Sequence, residues 1–387
     1  MNIPHHVAGH TLILLRNGED YFPRLIEAID KASSFVYLES YIFAADEAGR
    51  SVTDALKRAA SRGVRVHLLL DGYGSLELPV AWEQELVQAG ILVLWFRRQL
   101  GWLSLQRSQL RRLHRKLVVI DDMQAFLGGV NIVKDHPDGI PSPRLDYMVL
   151  VEGVIVRRIH LAMQRLWKLV AWINLRQRGS HEKIRLPARQ PDAAVQFLMR
   201  DNFRHRRDIE HAYLQAIESA QQEILIANAY FLPGRRFRKA LLERARAGVR
   251  VILLLQGRVE YRLQHYATLA LYDELLKSGI EIHEYLASYL HAKVAVIDGK
   301  WSTVGSSNID PFSLWLAREA NIVVRDAGFA ADLREDLMQQ IAQHARRIVS
   351  PDWRKWNVFS WAGSKCSYLL MRLLTGLIGR ERGRDDI

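Results

Sequence analysis

Apolar positions along this chain gather in short runs separated by amphipathic stretches, and the runs recur. Phe35-Val-Tyr-Leu-Glu-Ser-Tyr-Ile-Phe43 is echoed by Glu223-Ile-Leu-Ile-Ala-Asn-Ala-Tyr-Phe-Leu232. Each run is mostly apolar, the pattern of a strand buried on both faces. A helical stretch follows each, Asp54 to Ser61 and Phe237 to Ala247. Then come Arg62-Gly-Val-Arg-Val-His-Leu-Leu-Leu70 and Ala247-Gly-Val-Arg-Val-Ile-Leu-Leu-Leu255, in which glycine closes the helix where a left-handed turn costs least. A third pair is Ala89-Gly-Ile-Leu-Val-Leu-Trp-Phe96 and Ser278-Gly-Ile-Glu-Ile-His-Glu-Tyr285. Strand, helix, strand, helix, strand predicts an α/β fold with helices on both faces of a sheet. Its double occurrence predicts two similar halves, each a parallel or mixed sheet flanked by helices, around a pseudo-twofold axis with one site between them. The first half is read as residues 1 to about 190, the second as 191 to 350, and residues 351–387 as a tail.

Both repeats run into the same chemistry. His114-Arg-Lys116 is followed by four apolar residues, Asp121 and then Gly128-Gly-Val-Asn131; the second half has His291-Ala-Lys293, four apolar residues, Asp298 and Gly305-Ser-Ser-Asn308. His and Lys two apart on a strand project from one face, so both can reach one anion. Displacing an alcohol from a phosphodiester needs a nucleophile, charge stabilisation on the phosphoryl oxygens and a proton for the leaving alkoxide. One imidazole can attack phosphorus and the other can shuttle the proton, with Lys116 and Lys293 supplying charge and Asn131 and Asn308 supplying donors. The residues are symmetric and do not assign the two histidine roles. Asp121 and Asp298 complete the pair of catalytic motifs but are expected to be architectural, held by backbone or by a lysine. No metal or cofactor is called for. His5, His6 and His10 lack a supporting Cys or carboxylate and are expected to be a solvated terminus.

The doubled motif, in matched contexts, resembles the phospholipase D superfamily over residues from about 10 to 350. Leu69-Leu-Asp-Gly-Tyr-Gly-Ser75, Ile226-Ala-Asn-Ala-Tyr-Phe231 and Thr303-Val-Gly-Ser-Ser-Asn-Ile-Asp-Pro311 narrow the likeness to bacterial cardiolipin synthases of the short kind. That resemblance implies transfer of a phosphatidyl group to phosphatidylglycerol through a phosphohistidine, releasing glycerol or ethanolamine. It implies His114 as the nucleophile and His291 as the acid/base. It adds Ser306 to the phosphate-binding group, with Gly129 standing where the pattern often has serine. It points also to Asp146 and Glu319 as the carboxylates that orient the imidazoles. Rival readings are a phospholipase D hydrolase, a nuclease of the same superfamily and an idle lipid-binding protein.

Composition narrows the partners. There are 54 basic and 42 acidic side chains, a net charge of +12, which favours a polyanion, either nucleic acid or an anionic membrane surface. Cys366 is the only cysteine, which suits a reducing compartment. No uncharged apolar stretch is long enough to span a bilayer, and residues 1–16 read as no signal peptide. Three basic, aromatic segments speak for a membrane: Arg97 to Arg112, a helix from Ile155 to about Arg178, and the tail from Trp353 to Arg380. The helix is expected to pack on the core or lie on lipid. The tail is expected to lie in the interface. Phospholipid substrates, an anionic membrane surface and no nucleic acid are the expected partners, with the protein peripheral on the cytoplasmic face of the bacterial inner membrane.

Overall fold

A computed structural model describes residues 2–98, 112–174, 193–201, 205–310, 317–349, 363–364 and 366–370. The first half runs β1 (Pro4–Val7), β2 (His10–Arg16), α1 (Asn17–Lys31), β3 (Phe35–Ser40), α2 (Glu47–Ser61), β4 (Arg65–Asp71), α3 (Val80–Gln88), β5 (Leu92–Phe96), β6 (Leu117–Ile120), β7 (Gln124–Gly128), β8 (Tyr147–Glu152) and α4 (Ile155–Ile173). The second runs β9 (Val195–Arg200), α5 (Asp208–Ser219), β10 (Glu223–Asn228), α6 (Arg235–Arg246), β11 (Arg250–Gln256), α7 (Arg262–Lys277), β12 (Glu281–Tyr285), β13 (Lys293–Ile297), β14 (Trp301–Gly305), β15 (Glu319–Arg325), α8 (Ala327–His344) and β16 (Ala345–Ile348).

Each half is an eight-stranded mixed sheet, ordered β1-β2-β8-β7-β6-β3-β4-β5 and β16-β12-β11-β10-β13-β14-β15-β9. Read from the other edge, the second order matches the first strand for strand, except that β1 extends one edge and β16 the other. In both, the three repeat strands pair in parallel and the motif strand pairs antiparallel beside them. The predicted helix at Asp54 begins earlier, at Glu47, because Asp46 caps it by accepting from the Gly49 amide at 3.0 Å.

Helices α1 to α3 cover the outer face of the first sheet around Leu25, Val52 and Leu86, and α5 to α7 cover that of the second around Ile217, Leu241 and Leu275. The inner faces meet in a single core that also takes up α4 and α8. Of the segments expected to touch membrane, α4 buries Ile159, Met163, Leu166, Trp167 and Val170 against the body, while Leu169, Trp172 and Ile173 are exposed at its end. Residues 99–111 and most of the tail lie outside the described residues. Within the tail, Tyr368 packs on the second half and accepts from Arg238 at 3.2 Å, while Leu369 and Leu370 face outward. Among the described residues no helix is long and apolar enough to cross a membrane.

His6 is exposed as expected, but His5 and His10 are not part of a solvated terminus. β1 pairs with β2 at the sheet edge, and His5 Nε2 lies 3.0 Å from Asp332 of α8 with its ring edge-on to Phe329. His10 is buried beside the Val7 carbonyl. The two strands fold the terminus back onto the second half. No group of metal-binding side chains occurs among the described residues.

Candidate active site

Two short backbone exchanges bring the motifs together. The His114 amide donates to the Arg318 carbonyl at 3.0 Å and the Arg318 amide to Arg112 at 2.8 Å. In the mirrored exchange, the His291 amide donates to Leu145 at 2.8 Å and the Leu145 amide to Tyr289 at 3.0 Å. Each histidine is thus held by the other half's chain just before its carboxylate. A side chain anchors the approach to each motif: Asp71 accepts from the Leu113 amide at 2.7 Å, and Gln256 accepts from Leu290 at 3.1 Å.

The carboxylates are exchanged across the pseudo-twofold axis. His114 Nδ1 lies 3.1 Å from Glu319, and His291 Nδ1 lies 2.5 Å from Asp146. The sequence singled out all four residues but not the crossing. With Nδ1 engaged in both rings, Nε2 is the nitrogen left for a substrate. Both histidines, Asn131, Asn308 and Asp146 line one cleft of about 570 Å³ between the halves. Asn131 Oδ1 accepts from the Ile42 amide at 3.2 Å, which fixes the side chain and leaves its NH2 unused by the described residues.

The lysines sit one layer below this lining. Lys116 Nζ donates to the carbonyl of His114 at 2.7 Å, and Lys293 Nζ donates likewise to the carbonyl of His291. Both are buried. Burial holds Lys116 down to about 7 and Lys293 to about 8 against the pull of Glu319 and Asp146. Burial raises Asp146 to about 6, opposed by Lys293. It lowers His114, opposed by Glu319, and lowers His291 well below the ordinary imidazole value, with Lys293 adding to the effect.

Three expected site residues stand elsewhere. Ser306 is off the cleft wall: its hydroxyl is spent on Glu319 at 2.5 Å and on the Ala320 amide at 3.0 Å, while its carbonyl faces His114 Nδ1 at 3.1 Å. It braces the carboxylate. Gly129 has the equivalent place beside Asp146, where a Cβ would come within 2.1 Å of Oδ1, so the shorter acid leaves no room for serine. Asp121 and Asp298 are architectural. Asp121 accepts from the amides of Ser33, Ser34 and Phe35, and Asp298 from those of Gln221, Gln222 and Glu223, each tying its motif strand to the start of the neighbouring one.

Several lining residues escaped the sequence reading. The Tyr41 ring lies 4.9 Å from His114 and 5.2 Å from Lys116 Nζ. Tyr230 donates to Glu260 at 2.6 Å, and Arg112, Arg144 and Tyr261 complete the walls. The repeat conceals them, because the matching positions differ: Tyr41 corresponds to Ala229, and Arg144 to Ala317.

Comparison with known proteins agrees with the two-half fold. A family described as cardiolipin synthase, PLD-like domain, matches residues 25–167 and 213–345, one match per half. The chain belongs to this phospholipase D-like cardiolipin synthase family. It is 37% identical to cardiolipin synthase B of Salmonella typhimurium over 385 residues, covering 96% of this chain and 90% of that protein. The Escherichia coli cardiolipin synthase B is 36% identical with the same coverage. Among solved structures, phosphatidylserine synthase of Haemophilus influenzae superposes with a TM-score of 0.72 over 97% of both chains at 14% identity, a likeness of fold.

Proposed function

We propose that this protein is a cardiolipin synthase that moves a phosphatidyl group to phosphatidylglycerol by two displacements at one histidine. The observation that carries the reading is the crossed pair of histidine–carboxylate contacts facing one cleft. In the first step His114 Nε2 attacks phosphorus, the bond from phosphorus to the headgroup oxygen breaks, and His291 gives that oxygen its proton. In the second step a hydroxyl of phosphatidylglycerol attacks, the phosphorus–nitrogen bond breaks and His291 takes the hydroxyl proton. Asn131 and Asn308 are proposed as donors to the phosphoryl oxygens, with Lys116 and Lys293 charging them from below.

The charge balance supports this assignment. With both lysines protonated and both carboxylates ionised, the six-residue cluster is neutral when both imidazoles are neutral. An entering phosphodiester anion is then balanced by one imidazolium, the form a general acid must take. The product phosphodiester resembles the one consumed, so the reaction is reversible by mass action.

A peripheral seat on anionic lipid fits the net charge of +12 and the exposed Leu169, Trp172 and Ile173 at the end of α4. Purified protein given labelled phosphatidylglycerol, with and without phosphatidylethanolamine, tests the function. The expected products are cardiolipin with free glycerol or ethanolamine. Phosphatidic acid as the sole lipid product would indicate a hydrolase, and cleavage of DNA without lipid turnover a nuclease.

A further inference from the structure

The two halves offer their carboxylates symmetrically, but the positions two residues earlier break the symmetry. Before Glu319 stands Ala317, and before Asp146 stands Arg144, and both line the cleft. The Arg144 amide donates to the Asp135 carbonyl at 2.9 Å, and its Nη1 donates to the Lys134 carbonyl at 2.8 Å. Its guanidinium makes no ion pair among the described residues. The nearby acids are engaged: Asp135 accepts from the Gly18 and Glu19 amides, both at 2.7 Å, and Asp138 pairs with Lys134. The other guanidinium of the lining, Arg112, lies over the Tyr73 ring at 4.4 Å. On the second half's wall stands Glu260, which accepts from the Tyr230 hydroxyl at 2.6 Å and whose carboxylate repels an anion from that side.

Arg144 also sits beside the proton-transferring histidine. Leu145, its neighbour, accepts from the His291 amide, and Asp146 holds the His291 ring. An acceptor phospholipid brings a phosphate of its own, one glycerol away from the attacking hydroxyl. We propose that Arg144 binds this acceptor phosphate, seating the second lipid on the His291 side of the cleft with its hydroxyl aimed at the phosphorylated His114. The assignment rests on the two-step reading above. The chemistry stays balanced: the phosphorus–nitrogen bond breaks as the phosphorus–oxygen bond forms, and the hydroxyl proton passes to His291. Water and small neutral alcohols gain nothing from this guanidinium, so Arg144 favours transfer to an anionic acceptor over hydrolysis.

A competition experiment with the full chain tests it. Phosphatidylglycerol in detergent serves as donor, with equal concentrations of labelled glycerol and of labelled glycerophosphoglycerol, the deacylated acceptor headgroup. The wild-type protein is expected to favour glycerophosphoglycerol by about tenfold or more, the size of one charge-assisted contact. Arg144→Gln is expected to bring the ratio near unity and raise the share of phosphatidic acid, Arg144→Lys to restore part of it, and Arg112→Gln to keep it. The proposal is overturned if Arg144→Gln keeps the wild-type ratio, if both acceptors fail in parallel, or if Arg112→Gln alone abolishes the preference. A wild-type protein that transfers to neither acceptor and forms no cardiolipin overturns the two-step reading itself.

Discussion

A histidine that titrates alone and one held by a carboxylate from across an interface are different reagents, and here both belong to the second kind. His114→Asn and His291→Asn are each expected to abolish cardiolipin formation while leaving the circular dichroism spectrum unchanged, since one site uses both rings. Near-wild-type turnover by either variant would refute a shared site. The pH dependence follows from the buried charges. The proposed charge of the two lysines on the phosphate exists only when they are protonated, so kcat/KM is expected to fall as pH rises through the window from about 7 to about 8. Bound phosphate favours the charged amines and moves that limb to higher pH in kcat. On the acid side, protonation of Asp146 as pH falls through about 6 removes the carboxylate behind His291, and kcat/KM falls again. The groups titrate as a cluster, so a bell-shaped profile reports macroscopic values. A flat kcat/KM from pH 5 to 9 would show that neither limb governs catalysis.

Equivalent elements of the two halves solve one packing problem in two ways. In the first half Glu39 of β3 and Arg115, just before β6, form a buried ion pair at 2.7 Å. The second half has Ala227 and Ala292 at the matching places, both buried. Removing one member leaves an uncompensated buried charge, at a cost of ~3–5 kcal/mol, whereas removing both exchanges desolvation for packing. Glu39→Ala and Arg115→Ala are each expected to lower the denaturation midpoint more than the double variant does, measured by urea unfolding. A double variant as unstable as the sum of the singles would mean that the pair contributes to the fold independently. The repeat that made strands, helices and motifs legible in the sequence also hid such differences. It marked His114, Lys116, Asn131 and their counterparts because they recur, and it passed over Tyr41, Arg144 and Glu260 because they do not. The role of Ser306 was misread for a related reason. Its spacing matches the motif, but only the fold shows its hydroxyl taken by Glu319.

At the scale of the molecule, the halves are joined by more than the site. Tyr147 of β8 donates to Asp336 of α8 at 2.5 Å, and Arg16 of β2 pairs with the same carboxylate at 2.8 Å. These ties hold the sheets face to face, so the catalytic body is expected to stand without the tail. Ending the chain at Ser350 is expected to release much of the protein from anionic vesicles while activity on detergent-dispersed lipid persists. Lys365 and Arg372 are expected to contribute on the order of 1 kcal/mol each near such a surface, a part that high salt would weaken alone. Unchanged sedimentation would place the anchor elsewhere, with the exposed end of α4 the next candidate. One covalent relay between two crossed histidines can be caught by quenching turnover in base, where phosphohistidine survives, and mapping the adduct. One phosphatidyl group per chain is expected, on the peptide that carries His114 and not on the one that carries His291. An adduct on His291 or divided between the two would contradict that assignment, and its absence throughout turnover would contradict the relay.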